Sequence, residues 1–522
     1  MKGFLEELNG FFDTIDIVSP ETKLFEKYTD FTAPVVNTPC CAVQPRNENQ
    51  VIQLMEWAHK NKVSVRPIAT GKNWGYGDSG VQSNFEIIVD FCHMNKVVSF
   101  DEQLGIITLQ PGITQQQLFE FLQQINSDFM VPTTGAGPSC GVVSNALERG
   151  FGLNNTRDHF QAVHALKGVM ADGTLYQSPF YAMSSNADAV FKWHTGPYLD
   201  GVFAQGNTLV VTEMTLALEK KPKHKVLILL ECKKEQDLPN MLHALRDIIS
   251  DYGHNLSTVQ ISDATRVLSM LAPYPEKNEK FLDEEEVKNL SKQFNIKPWV
   301  LYFFVLGDKK TATCIAKQCA KRLKRFSAVK RLDSRFIEKA HQFLAKLPFN
   351  VCRELVMKLQ GLVQASNLMS GVPSEVALPL AYWKTGKPPK TKLNPAKDGC
   401  GLVWFAPVVP LKKEKFLTAV TLVRKICRDY KIEPMITASV MNMRCMEFTV
   451  PLLYDKETQM EDVQACYKDL FEACRKEGLL PYRYPNFFMK ELVNSGDSYW
   501  KHVKTLKKAL DPKNIIAPNR YS

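Results

Sequence analysis

The chain has 522 residues, 45% hydrophobic and 23% charged, with 65 Lys and Arg against 55 Asp and Glu for a net charge of +10. This balance excludes a disordered or collagen-like chain, and at about 150 residues per domain it predicts two to four domains. No run of about 18 uncharged apolar residues occurs, so no membrane span is expected.

The opening stretch MKGFLEELNGFFDTIDIV carries Glu6, Glu7 and Asp13 and lacks the basic-then-apolar layout of a signal peptide, which predicts a cytoplasmic protein. Thirteen cysteines without a C-x-x-C pair give no support for a zinc or thioredoxin-type site. Their scattered spacing predicts reduced, buried thiols, with Cys40 and Cys41 either two such thiols or a vicinal redox pair. Positive charge gathers at 220–225 and 317–325. Polyanion binding is one reading of these patches; a basic linker and a solvated helix face is the other. Neither patch interleaves aromatics for base stacking, so no nucleic-acid partner is expected.

Taken in chain order, Val51, Leu54, Met55 and Ala58 have the spacing of a helix over 51–60, followed by a strand at 63–67. The glycine-rich turn 71–80 comes next, then strands at 85–90 and 105–109. A helix is predicted over 114–124 with Thr114 as N-cap. A second glycine-rich loop, 133–141, opens into a helix at 142–150. Strands follow at 166–170 and 208–218. The segment 220–225 breaks the pattern and reads as a domain junction. Beyond it come a strand at 226–232 and a helix at 238–249 with an apolar stripe of Leu238, Met241, Leu242, Leu245 and Ile249. Strands at 301–306 and 401–406 and helices at 310–325, 412–430 and 458–477 complete the reading. The class is α+β.

Gly75-Tyr-Gly-Asp-Ser-Gly80 matches G-x-G-x-x-G, but a strand, not a helix, follows it, so the Rossmann reading fails on context. A tight turn and a phosphate-binding turn both remain open for it. Gly135-Ala-Gly137-Pro-Ser-Cys-Gly141-Val-Val-Ser-Asn145 does precede a helix, a natural place for an anion. Two such loops in one domain suggest a two-sided grip on one extended cofactor.

With Arg66-Pro-Ile-Ala-Thr-Gly-Lys-Asn-Trp-Gly-Tyr-Gly77 and Ser144-Asn-Ala-Leu-Glu-Arg-Gly-Phe-Gly152, the chain resembles the FAD-binding oxidoreductases of the vanillyl-alcohol oxidase and p-cresol methylhydroxylase group. The likeness continues through Asp158-His159, the segment 196–207, Gly371-Val-Pro-Ser-Glu-Val-Ala-Leu, Trp404-Phe-Ala-Pro407, Tyr482-Arg483 and Asp511-Pro-Lys-Asn-Ile-Ile-Ala-Pro518. It implies a two-subdomain FAD-binding domain over 1–222, an α+β cap with an antiparallel sheet over 223–479, and a C-terminal segment, 480–522, completing the FAD domain.

The resemblance further implies that Gly71, Lys72, Asn73, Trp74, Gly75 and Gly77 on the first loop meet FAD. Pro132, Thr134, Gly135, Gly137, Ser139 and Gly141 would do so on the second. Ser144, Asn145, Glu148, Gly152 and Val211 belong to the same cradle, with Arg520 near the flavin N1 locus. Its para-substituted phenol substrates bind as phenolate and lose hydride from the benzylic carbon to flavin N5, giving a quinone methide. Ionising a phenol of pKa about 10 near pH 7 takes roughly 4 kcal/mol of differential stabilisation. Tyr76, Tyr482 and Arg483 occupy the family's positions for that task, by charge-assisted hydrogen bonding.

Three positions depart from the pattern. Thr133 stands where the family carries an aspartate beside the flavin, and would line the pocket. Glu447 stands where relatives carry histidine. Leu402 aligns with the histidine that links flavin covalently in some members, so non-covalent FAD is expected. Pro132 occupies a position associated with oxygen access, which leans to an oxidase. A dehydrogenase would need an electron-acceptor protein. The family also implies a homodimer. No metal site is expected. A larger natural-product alcohol or phenol as substrate, or a flavin-binding subunit without turnover, are the alternative readings.

Overall fold

The computed structural model describes residues 6–522 apart from 14–15, 36, 185–186, 188, 277–280, 347–348, 387, 390–391 and 495, so residues 1–5 and 14–15 of the opening stretch lie outside the described residues. Three sheets carry the chain. The first has order β1-β2-β4-β3, from β1 (Ile17–Val18), β2 (Cys41–Val43), β3 (Val65–Ile68) and β4 (Ile87–Asp90). Its three longer strands are parallel, and the C-terminal segment joins them through a bridge between Val65 and Ile516. The helix Glu48–Asn61 packs Val51, Leu54, Met55 and Ala58 into the same core.

The second sheet is antiparallel, order β5-β6-β9-β7-β8, from β5 (Val97–Asp101), β6 (Ile106–Leu109), β7 (Val163–Val169), β8 (Leu175–Gln177) and β9 (Val210–Ala217). Thr114 caps the helix Gln115–Gln124 in a reciprocal capping box with Gln117. The helix after the second glycine loop is short, Val142–Leu147, and stops before the predicted 150.

The third sheet has eight strands. Seven run in order β13-β10-β12-β11-β16-β17-β14, with β15 also on β17. The strands are β10 (His224–Cys232), β11 (Val259–Asp263), β12 (Trp299–Gly307), β13 (Val329–Asp333), β14 (Gly401–Phe405), β15 (Val408–Pro410), β16 (Thr437–Val440) and β17 (Cys445–Tyr454), all paired antiparallel. Side chains alternate between faces along a strand. Ile261, Leu301, Phe303, Ala438, Met446 and Phe448 enter the largest core, beside the helices Asp237–Tyr252, Lys309–Leu323 and Lys413–Asp429. The residues between them turn to the opposite face.

Strand β10 starts inside the predicted junction. Lys225 is not part of a solvated linker: it is buried, and its Nζ donates to Ser366 O at 2.8 Å and Ser370 Oγ at 2.7 Å. The basic run 317–325 does lie on the outer face of its helix, whose Ile315, Ala316, Cys319 and Leu323 are buried. Cys40 and Cys41 are free thiols, with sulfurs 4.0 Å apart. Among the described residues no helix is long and apolar enough to cross a membrane.

Candidate active site

Both glycine loops border one cleft of about 380 Å³, closed on its other side by the third sheet and the segment around Leu378. The first loop is a turn followed by β4, so the G-x-G-x-x-G segment opens no helix. Gly71, Lys72, Asn73, Trp74 and Tyr76 line the cleft from this side. Gly75 does not: its φ is +75°, and a Cβ there would lie 2.3 Å from Trp404 Cδ1. Its glycine lets the Trp404 indole sit on the loop, and Trp404 N donates to Gly75 O at 3.1 Å. Gly77 packs in the same way on Asn486.

From the second loop Thr134, Gly135 and Gly141 line the cleft, and beyond it Ser144, Asn145, Glu148 and Gly152. His159 Nδ1 lies 2.5 Å from Asn145 Oδ1 and holds that amide in place. Gly137, Ser139 and Pro132 do not border the cleft; Gly137 faces the Leu378 side chain instead. Thr133 is the main correction. It is fully buried outside the cleft, and its Oγ1 donates to Leu368 O at 2.8 Å. The whole 131–133 segment is clamped there: Asn154 Nδ2 donates to Val131 O at 3.0 Å, and a Cβ on Gly371 would sit 2.7 Å from Val131 N.

Tyr482 and Arg483 follow the bridge between Pro407 and Pro481, in a bend rather than a strand. Neighbours in a strand point to opposite faces; here both reach the same cleft. Arg483 Nη2 donates to Asn73 Oδ1 at 2.7 Å, and its guanidinium lies 4.1 Å from the Tyr76 ring centroid. Burial pushes the Tyr76 hydroxyl well up, against the pull of Arg483. Burial, Glu447 and Tyr76 do the same to Tyr482. Both tyrosines therefore stay neutral hydrogen-bond donors. Burial alone would lower Arg483, but the ionised Glu148, 3.8 Å away, helps hold it cationic.

Glu447 also borders the cleft, and burial pushes its carboxyl up to about 7, against Arg483 and hydrogen bonds from Thr449 and Tyr482.

Arg520 is buried, not a frayed terminal residue, and its Nη2 bonds Glu148 Oε1. With Val211 it lines a smaller cavity of about 120 Å³, which shares Arg66, Ser144 and Glu148 with the cleft. Burial would raise Glu148, but Arg520, Arg483 and Arg66 outweigh it and hold the carboxylate ionised. Glu86 is a second acid beside Arg66, and the three guanidiniums still outnumber the carboxylates that reach them. Arg66 Nε, Arg483 Nε and Arg520 Nη1 are buried with no partner. Surplus charge and orphaned donors beside two glycine loops fit an anionic dinucleotide of the FAD kind. Sequence reasoning missed Arg66 as a member of this cluster, although it opens the motif quoted for the first loop.

Residues 39–178 match the family model described as FAD binding domain. The fold superposes on the crystal structure of p-cresol methylhydroxylase with substrate bound at a TM-score of 0.87, covering 100% of this chain and 96% of that one at 24% identity. Residues 39–178 are thus an FAD binding domain, in a chain whose fold is that of p-cresol methylhydroxylase. Two curated relatives cover nearly its whole length. It is 29% identical over 493 residues to the 1'-carboxy-chondrochloren decarboxylase of Chondromyces crocatus, covering 92% of this chain and 90% of that protein. It is 25% identical over 517 residues to the 4-cresol dehydrogenase [hydroxylating] flavoprotein subunit of Pseudomonas putida, covering 97% and 92%. The FAD-binding match and the cresol dehydrogenase relative together support an FAD-dependent oxidoreductase.

Proposed function

We propose that the protein oxidises a para-substituted phenol at its benzylic carbon. The carrying observation is the convergence of Tyr76, Tyr482 and Arg483 on the cleft between the glycine loops. FAD bound there supplies a two-electron acceptor that takes hydride at N5. The chain's own residues do the rest. Tyr76 donates its hydroxyl hydrogen to the phenolate oxygen, Tyr482 turns its own from Glu447 to the same oxygen, and Arg483 neutralises the charge. Charge-assisted bonds of about 1.5–3 kcal/mol each reach the roughly 4 kcal/mol that ionisation requires. Electron density pushed to the para carbon then lets hydride leave. Glu148 ties Arg520 beside the same cluster.

FAD is held without a covalent bond. Leu402 lines the cleft and has no nucleophile, and the Tyr382 hydroxyl is bound to Asp398 Oδ2 at 2.5 Å. Acid precipitation checks this: the yellow colour goes to the supernatant, whereas a yellow pellet overturns it. The reduced cofactor passes its electrons to oxygen or to an acceptor protein, and the protein acts as a homodimer in the cytoplasm. Anaerobic addition of 4-ethylphenol tests the main reading. Bleaching of the flavin supports it; a flavin that no para-alkyl phenol bleaches removes it.

A second reading couples the oxidation to loss of a carboxylate, and the relative named as a decarboxylase supports it. After hydride leaves the benzylic carbon, carbon dioxide departs from the neighbouring carbon. Its bonding pair forms the side-chain alkene and restores the phenolate, so no water is added. One carbon dioxide released per flavin reduced distinguishes this outcome.

A further inference from the structure

The cap face of the cleft carries a polar row set by strand register. Tyr302 on β12 pairs with Gln260 on β11, Gln260 with Ser439 on β16, and Ser439 with Glu447 on β17. All four border the cleft, while their neighbours along each strand fill the core. With strands about 4.8 Å apart, the row runs roughly 14 Å across the sheet. Its Glu447 end meets Tyr482 and Arg483. At its other end stands Arg266, also bordering the cleft.

The polar groups at that far end are not satisfied by the chain. Gln260 Oε1 accepts from Ser439 Oγ at 3.2 Å, but its Nε2 is buried without a partner in a residue only 7% exposed. Among the described residues the Arg266 side chain makes one hydrogen bond, from Nη1 to Ser269 Oγ at 3.2 Å. Asp263 is the acid whose charge reaches it, but the Asp263 carboxylate is occupied by the backbone N–H groups of Arg266 and Ile436 and by Arg424 at 4.0 Å. The Gln260 amide is buried without an acceptor, which is costly unless a ligand completes it, and beside it the half-buried Arg266 guanidinium shares its nearest acid, Asp263, with Arg424.

We propose that Arg266, Gln260 and Tyr302 form a carboxylate-binding subsite, so that the substrate is a phenol bearing a carboxylate on its para side chain. The proposal rests on the phenol reading for the orientation of that substrate. The donor set fits a singly charged planar anion: a guanidinium fork, one amide N–H and one hydroxyl, with a single positive charge. A phosphate dianion would call for a second cation, which this end does not offer among the described residues.

The test is equilibrium binding to the flavin-loaded protein, read by calorimetry and by the flavin difference spectrum. The probes are (4-hydroxyphenyl)acetate, -propanoate and -butanoate, each against its neutral amide, with 3-phenylpropanoate as an acid lacking the phenol. At least one acid should bind about 10–100-fold more tightly than its amide. Arg266→Met and Gln260→Leu should each cut that ratio and leave 4-ethylphenol binding unchanged. Arg266→Lys should restore part of it. If Arg266→Met fails to fold, Gln260→Leu decides alone. No acid over amide preference, or a preference that both variants leave intact, overturns the subsite. Arg266-dependent binding of 3-phenylpropanoate supports the subsite even where no phenol bleaches the flavin, and 4-ethylphenol bleaching without acid preference removes the subsite while the phenol reading stands.

Discussion

The two faces of the cleft are built by opposite means. The floor, from residues 66–77, 144–148 and 482–520, gathers Arg66, Arg483 and Arg520 around Glu148. Its guanidiniums outnumber the acids Glu148 and Glu86 that reach them, and its groups come from short segments. The cap face carries Glu447, Ser439, Gln260 and Tyr302 on four separate strands, with one carboxyl poised near neutrality. The floor is suited to holding negative charge permanently, whereas the cap face can change its charge with pH. On the proposed function the floor would fix the phenolate and cofactor, and the cap face would set which side chain and which pH the site accepts.

Removing the floor's reacting-end cation should break this contrast most severely. Arg483→Met is expected to lower the rate of anaerobic flavin reduction by a phenol about 10³-fold, the scale seen when a preorganised charge donor is lost. Arg483→Lys should recover little, because an ammonium cannot both donate to Asn73 and stack on the Tyr76 ring as the guanidinium does. Stopped-flow reduction measures both. Equal rates in parent and Arg483→Met would assign the floor a purely structural role.

Tyr76→Phe and Tyr482→Phe remove one donor each and keep the ring. Each should weaken binding of a phenolate inhibitor about 10–100-fold, since a hydrogen bond to a charged oxygen is worth about 1.5–3 kcal/mol. The two losses should not add, because both tyrosines and Arg483 act on one oxygen. A double-mutant cycle gives the coupling.

Glu447 sharpens the comparison from the cap side. Its folded pKa of about 7 exceeds the ordinary carboxylate value, so the folded protein favours the protonated form. Stability from this group is complete below about pH 4 and is lost as pH rises through 7. Glu447→Gln should therefore melt higher than the parent above pH 7 and match it near pH 4. A carboxylate beside a bound phenolate repels it, and at pH 8 about nine-tenths of Glu447 is ionised. The variant should bind a phenolate about tenfold more tightly than the parent at pH 8 and equally at pH 6. A pH profile unchanged by the substitution would detach Glu447 from the phenolate.

The contrast between the faces also explains what the sequence made legible. Tyr76, Tyr482, Arg483 and both glycine loops sit in contiguous motifs, so local chemistry and resemblance point to them together. The Thr114 cap was readable because its partner Gln117 is three residues away. The cap row was not readable. Gln260 and Ser439 are 179 residues apart, and only strand register makes them neighbours. Strand β17 carries a nearly continuous apolar run, which periodicity cannot assign to a strand or a helix, and Glu447 sits inside it. Arg266 lies one turn into a short helix after β11, where a charged residue ordinarily faces solvent.

Thr133 marks the limit of reading a site by alignment. The position suggested a cleft-lining group, yet its hydroxyl is spent on Leu368 O, 235 residues away in sequence. Thr133→Val keeps the shape and removes one of the two donors to that carbonyl, the other being Gly371 N at 3.1 Å, at a cost of about 1 kcal/mol. The expected result is a lower melting temperature with flavin reduction by 4-ethylphenol unchanged at saturation. Thr133→Asp should be worse for folding, because it buries a carboxylate with one carbonyl facing it and no cation among its described partners. A Thr133→Val protein with parental melting and a reduction rate lowered tenfold would return this residue to the reacting face of the cleft. That outcome would also require the 131–133 segment to swing away from Gly371 and Asn154 when substrate binds, a movement that hydrogen exchange at those amides would register.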